Sequence, residues 1–243
     1  MATTETPWIG ATDDKLYLQS GQFSATLKTS LDVSAIETGC SGIEWDGTNT
    51  VWAGANADKL YLQSGKFSAT MKTSRDVKSI DNGVESSSWD GTNTPWGGEG
   101  SNKLYLQSGQ FSATLKTSLS VAATPRGTSW DGTNTPWCAS TGDKLYLQSG
   151  QFSGTVKTSL DVGVAGLNID NGPQGVTWDG TNTPWIGLID DKLYLQSGQF
   201  SSTLKTSQDV FAIDSAGTDI STDDVNGRLV GAGAAFTPTA VIF

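Results

Sequence analysis

The segment KLYLQSG occurs five times in this chain, starting at Lys15, Lys59, Lys103, Lys144 and Lys192, with spacings of 44, 44, 41 and 48 residues. Each copy continues as QFSATLKTSLDV or a close variant, and a tryptophan (Trp8, Trp52, Trp96, Trp137, Trp185) stands seven positions before each lysine. Ahead of four of these tryptophans lies the string WDGTNT, beginning at Trp45, Trp89, Trp130 and Trp178. So regular a period makes each unit one supersecondary element. Such an element cannot cover its own apolar faces and must stack on its neighbours.

Within a unit the hydrophobic pattern has period two, the mark of strands. Strand A ends at the first tryptophan, and Asp-Gly then turns the chain because both residues tolerate positive φ. Strand B is NTPW with a residue or two more. Strand C is KLYLQ, in which Lys15, Tyr17 and Gln19 alternate with Leu16 and Leu18. Strand D is expected to follow Ser-Gly directly, with Phe23, Ala25 and Leu27 alternating with Ser24, Thr26 and Lys28. Four strands per unit and five units predict an all-β fold, a five-bladed β-propeller of four-stranded antiparallel blades. Two leucines, a phenylalanine and two tryptophans per unit are the expected filling between blades, at roughly 1.5–3 kcal/mol for each large side chain buried.

The ends of the chain bear on how the ring closes. The first unit begins at strand B, TETPWIG, with no strand A before it. Val210 precedes Thr222 by the 12 positions that separate Val33 from Trp45, so DISTDD takes the slot of GIEWDG, with Asp223 in the place of Asp46. The ring is therefore expected to be closed by both chain ends meeting in one blade. Residues 1–227 form a single propeller in this scheme, with repeats centred on 15–33, 59–77, 103–121, 144–162 and 192–210. NGRLVGAG also resembles a strand B, with Leu229 at the tryptophan slot, and residues 228–243 are expected to be a C-terminal tail.

Composition narrows the function classes. Of 243 residues, 29 are glycine and only 16% are charged, which suits strands and tight turns better than long helices. No apolar run approaches the roughly 20 residues of a membrane helix. The start, MATTETPWIG, lacks the basic end and apolar core of a signal peptide, so a soluble chain with no membrane partner is expected. There is no histidine, which removes the usual general base and every His-containing metal site. Cys40 and Cys138 carry no motif, and no disulfide framework, metal or cofactor is expected. A net charge of −10 argues against nucleic acid as a partner.

The string WDGTNT…W followed by KLY resembles the blade of YVTN- and NHL-like propellers. It is also similar to the Asp-box hairpin, although Asp46 and Gly47 are adjacent here where the box has a residue between them. The near-identical units and the glycine-, serine- and threonine-rich style resemble proteins of tailed bacteriophages, tail-appendage proteins among them. That resemblance implies a place in the virion and other virion proteins as partners, and it carries over no site residues.

Variation along the units is uneven. The A–B and C–D turns, WDGTNT and LQSGQF, recur almost unchanged, and in a blade they share one face of the disc. The B–C loops and D–A connections, on the other face, differ in every unit. These loops are mainly acidic: Asp13, Glu37, Asp81, Glu85, Glu99, Asp170, Asp190 and Asp214 stand against Lys78 and Arg126. The expected ligand-binding residues are Asp13, Asn56, Glu99, Thr141 and Asp190, one in each B–C loop. The repeated Asp46, Asp90, Asp131 and Asp179 precede glycine and are expected to be turn formers. An enzyme needs a carboxyl pair or an activated nucleophile. The ring of residues at the strand-A tryptophan, Glu44, Ser88, Ser129, Thr177 and Ser221, offers one carboxylate and four hydroxyls, so no catalytic residues are assigned. The expectation is a non-enzymatic recognition module, lectin-like or host-surface binding, with a glycan or cell-surface ligand. The alternative is a structural or assembly protein of a virion appendage, anchored by its C-terminal tail.

Overall fold

The computed structural model describes residues 5–21, 26–163 and 166–221. The chain runs through β1 (Thr6–Gly10), β2 (Lys15–Gln19) and β3 (Leu27–Asp32), then β4 (Cys40–Trp45), β5 (Asn49–Gly54), β6 (Lys59–Ser64) and β7 (Met71–Asp76). It continues through β8 (Val84–Ser87), β9 (Asn93–Gly98), β10 (Lys103–Ser108) and β11 (Leu115–Ser120). β12 (Pro125–Thr128), β13 (Thr135–Ala139), β14 (Lys144–Gln148) and β15 (Val156–Asp161) follow. The last five are β16 (Pro173–Val176), β17 (Asn182–Gly187), β18 (Lys192–Ser197), β19 (Leu204–Asp209) and β20 (Gly217–Ile220). They form five four-stranded antiparallel sheets, four of them in chain order from β4 to β19 and one in the order β20-β1-β2-β3. The molecule is a five-bladed β-propeller. Blade 1 is β20 with β1–β3, and blades 2 to 5 follow in sequence.

Strand A is innermost, because β4, β8, β12, β16 and β20 each touch the next around the axis. In blade 1, β20 pairs with β1 through Trp8↔Ile220 and Ile9↔Asp219. The Ser221 amide donates to the Pro7 carbonyl as Ser88 does to Pro95 in blade 3. Asp223, Leu229 and the tail at 228–243 lie outside the described residues.

Each apolar cluster sits between two blades rather than within one. Ile9, Leu16 and Leu18 of blade 1 meet Ile43, Trp52 and Phe67 of blade 2, while Ile186, Leu193 and Leu195 of blade 5 meet Trp8 and Ile220 of blade 1. The centre of each blade is a cross-strand pair in register, such as Trp52 against Tyr61, with the rings stacked at 4.1–4.3 Å. This second tryptophan of the unit is buried in all five blades, at 0–2% exposure. The first, at 45, 89, 130 and 178, is only half-buried, because it sits where strand A gives way to the turn. The expectation of two equally buried tryptophans per unit is corrected accordingly.

Strand D also differs from expectation. It begins at Leu27, Met71, Leu115, Val156 and Leu204, several residues after Ser-Gly. The intervening residues form a wide turn closed by bonds such as Ser64 N–H to the Thr70 carbonyl, 2.9 Å. Phe67, Phe111, Phe152 and Phe200 take positive φ there, which tucks the ring under the blade instead of along a strand. Phe23 and Ala25 lie outside the described residues. The outermost strand is mostly exposed, and each copy carries a lysine at its second position, a charge that discourages pairing of a free sheet edge with another chain.

The constant face is built as scaffold. Asp46 Oδ1 accepts from the amides of Thr48 (2.7 Å) and Asn49 (2.5 Å), the role expected of a turn former, and Asp90, Asp131 and Asp179 repeat the pattern. The other carboxylate oxygen reaches the next blade, where Gln110, Gln151 and Gln199 donate to Asp46, Asp90 and Asp131. From blade 1 to blade 2 this amide–carboxylate clamp is replaced by an ion pair. Lys66 stands in the glutamine position and Glu5 in the position of Asn49, with Nζ 2.7 Å from Oε2, and Lys28 also reaches Glu5.

Candidate functional site

The variable face is assembled around buried acids. Glu37, Asp81 and Asp214 each follow a valine by four positions, and Asp170 follows Val162 after a longer loop. In all four the acid's amide bonds the valine carbonyl at 3.0–3.2 Å, a turn that swings the carboxylate inward. There it accepts from a backbone amide of the adjoining B–C loop: Ala57 to Glu37 (3.2 Å), Ser101 to Asp81 (3.2 Å), Asp190 to Asp170 (2.9 Å) and Asp13 to Asp214 (3.2 Å). The strand-C tyrosine completes the arrangement, with Tyr61 donating to Glu37 and Tyr105 to Asp81 at 2.8 Å, and Tyr194 to Asp170 at 3.4 Å. Burial and then the facing carboxylate hold the Tyr61 and Tyr194 phenols far above their ordinary range, so they stay proton donors.

These acids demand a glycine at the end of strand B. A Cβ on Gly10, Gly54, Gly98 or Gly187 would stand 2.3–2.6 Å from the side chain of Asp214, Glu37, Asp81 or Asp170. Blade 4 is the exception on both counts. The connection between β11 and β12 has no such acid, and the glycine position is Ala139.

The acidic rim expected from sequence is thus corrected in part. Glu37, Asp81, Asp170 and Asp214 are buried, at 4–5% exposure, and hold loops in place rather than facing a partner. For Glu37, Asp81 and Asp214 the four-residue spacing from valine is a signal that could have revealed it.

The five expected site residues all fall in B–C turns, whose last residue (Asp14, Asp58, Asn102, Asp143, Asp191) has φ of 49–52°. Asp13 pairs with Lys15 at 2.7 Å and accepts from Tyr17. Burial acts to raise its pKa, but the bonds from Lys15 and Tyr17 outweigh burial and hold it below the usual carboxylate range. Asn56 donates to the Thr38 hydroxyl at 3.1 Å. Asp190 accepts from Tyr194 at 3.2 Å. Thr141 is exposed. Only Glu99 is drawn into a larger group.

That group lies at the innermost strands. Each strand A has a β-bulge, and the skipped residues are Ser41, Glu85, Arg126, Gln174 and Thr218. A bulge re-aims its side chain, and here all five are polar. Those of blades 3 and 4 carry opposite charges: Arg126 lies 2.7 Å from Glu85 and 3.1 Å from Glu99. Burial, then hydrogen bonding to the Glu99 carboxyl, pushes Glu85 up to about 7 against the pull of Arg126. Sequence reasoning placed Glu85, Glu99 and Arg126 on the same face but missed their union, which depends on the bulge register. It also missed four exposed apolar side chains on that face: Ile36, Leu188, Ile189 and Phe211, the last two more than 60% exposed. Among the described residues, no group of three or more His, Cys, Asp or Glu is placed to hold a metal ion.

Comparison with known proteins gives the fold and stops there. No family model matches the chain, and no curated protein matches it by sequence. Solved structures do match. One is from a nidogen/laminin complex, with TM-score 0.64 and 13% identity over 94% of this chain and 99% of that one. Another is the glutaminyl cyclase of Myxococcus xanthus, with TM-score 0.53 and 10% identity over 75% of this chain and 69% of that one. A streptogramin B lyase matches at TM-score 0.48 and 15% identity, over 68% and 54% of the respective chains. These neighbours are β-propellers. The glutaminyl cyclase among them is an enzyme, so the shared fold does not by itself separate catalysis from binding.

Proposed function

We propose that this protein is a non-enzymatic recognition module whose ligand meets the face of the B–C loops and D–A connections. The observation that carries this reading is the coincidence, on one face, of exposed Ile36, Ile189 and Phe211 with the Glu85–Arg126–Glu99 group, on loops held by buried carboxylates. Loops fixed before binding lose little conformational freedom when a partner arrives. Exposed aromatic and apolar side chains beside charge are the usual anchors of a binding surface. The other face repeats the same turns and clamps from blade to blade and serves as scaffold.

The non-enzymatic reading has its own support. Ser88, Ser129, Thr177 and Ser221 are 0–3% exposed, and Glu44, at 7%, is the sole carboxylate at that level of the ring. The carboxylates Glu85 and Glu99 are both engaged by Arg126, so neither stands free as one of the two spaced carboxyl groups of glycoside hydrolysis.

A glycan or other polyol of a cell surface suits this face, since Phe211 offers a ring for stacking and Arg126 with Glu99 offers polar groups elsewhere on the same face. A glycan array with the intact protein tests the reading. Specific signals that Phe211→Ser and Ile189→Ser weaken at least tenfold, while Asp131→Asn on the opposite face leaves them unchanged, are the expected result. Signals that survive both loop substitutions and vanish with the Asp-Gly turn variant would place the ligand on the constant face and overturn it.

A further inference from the structure

The seam between blades 3 and 4 departs from the repeat at several points, and these converge on one volume. The connection after Val121 lacks the step that supplies Ile36-Glu37, Ile80-Asp81, Ile169-Asp170 and Ile213-Asp214 elsewhere. Gly154 stands where Ala69, Ala113 and Ser202 stand in other blades, and Val156 where they have Met71, Leu115 and Leu204. Each change removes side-chain volume from the same flank of blade 4.

The result is a cavity of about 140 Å³ lined by Leu119, Val121, Ala122, Trp137, Tyr146, Gly154 and Val156, together with the exposed Ser120 and the buried side chain of Gln148. A Cβ on Gly154 would meet nothing within 4 Å, so the space is open at that point. Tyr146 is half-buried, whereas Tyr17, Tyr61, Tyr105 and Tyr194 are 3–4% exposed. Those four hydroxyls bond acids, while the Tyr146 hydroxyl has no hydrogen-bond partner among the described residues.

We infer that this cavity is a binding site for a small single-ring phenol. Its volume is that of one aromatic ring, since an apolar cavity of about 150 Å³ accommodates benzene. The stacked Trp137–Tyr146 pair, 4.2 Å between centroids, gives an aromatic wall, and Leu119, Val121 and Val156 give aliphatic ones. The Tyr146 hydroxyl can donate to or accept from one polar substituent. Besides Tyr146 the lining offers polar side chains only at Ser120 and Gln148, fewer than the hydroxyls of a sugar of the same size, and each hydroxyl left unpaired costs free energy. The site uses none of the residues named for the variable-face ligand proposed above and stands or falls without it.

Titration of p-cresol into isotopically labelled full-length protein, followed by NMR, tests the inference. Saturable shifts at Trp137 and Tyr146 below about 10 mM, with Trp52 and Tyr61 unmoved as internal controls, are expected. Gly154→Leu should weaken binding more than tenfold, and Gly154→Ala with Val156→Leu, which restores the side chains of the other blades, should weaken it in a chain of unchanged fold. Tyr146→Phe should erase the preference for p-cresol over toluene while toluene still binds. No saturation in that range would overturn the proposal. So would equal shifts at all five Trp–Tyr pairs, or undiminished affinity in the Gly154→Ala/Val156→Leu protein.

Discussion

At the scale of single residues, Glu85 and Gly54 lead to sharp expectations. Glu85 ionises near 4.5 in the unfolded chain and near 7 in the folded one, because it is buried against Glu99 with Arg126 as only partial compensation. Between those values the folded protein holds the proton more tightly. Stability therefore falls as pH rises from 4.5 to 7, by roughly 3 kcal/mol at most. Asp170 and Asp214, also raised by burial, act in the same direction from their ordinary range upward. Glu85→Gln removes only its own share, so its melting temperature should vary less with pH across that window than that of the parent. Parallel curves would show that Glu85 does not titrate there. Gly54→Ala places a methyl group 2.3 Å from the Glu37 side chain and should cost about 1–3 kcal/mol. In the Glu37→Ala background the same change should cost far less, and denaturant unfolding of the four proteins measures that coupling.

At the scale of elements, the Asp-Gly turns tie strands A and B and also join neighbouring blades. Asp90→Ala leaves two backbone amides without their acceptor and frees Gln151, and a loss of about 2 kcal/mol is expected. Gln151→Ala loses the clamp alone and should cost under about 1 kcal/mol. Equal losses would mean that the turn cap contributes nothing beyond the clamp. These turns were legible in the sequence because their bonds are local, Asp to amides two and three positions on. Strands A, B and C were legible for the same reason, through period two. The start of strand D was not, since Phe67 and its counterparts fit an alternating pattern yet take positive φ, a choice made by packing against the blade. Nor was the Glu85–Arg126–Glu99 group, whose members are 14 to 41 positions apart and meet only through bulge register. The buried acids were misjudged because charge alone says surface. The spacing from valine, together with a facing glycine and tyrosine on another strand, tells otherwise.

At the scale of the whole molecule, blade 1 is assembled from distant parts of the chain, whereas blades 2 to 5 each use consecutive strands. Blade 1 takes β20 from the far end of the described chain, and its clamp to blade 2 is the Glu5–Lys66 ion pair rather than Asp–Gln. We propose that β20 acts as a latch. Truncation before residue 217 would leave β1 with an unpaired edge and uncover Trp8 and Ile186, and the melting temperature should drop by more than about 10 °C. Truncation after residue 221 is the control: if both shortened chains melt alike, β20 is not the latch. The ion pair should respond to salt more strongly than the amide–carboxylate clamps do. Loss of stability between low and high ionic strength should therefore be smaller in the Glu5→Asn/Lys66→Gln protein.

The pairing of glycine with buried acid also sets an order on inheritance. With the acid present, alanine at the end of strand B collides with it, so that step is closed to drift. Once a D–A connection has shed its acid, the glycine is free to become alanine, and the alanine then bars the acid from returning. Blade 4, with Ala139 and a shortened connection, stands on the far side of that gate, while the other four blades stand before it. Restoring the sequence IETG to the blade 4 connection should thus be tolerated with Ala139→Gly and rejected without it, as thermal melting of the two chimaeras would reveal.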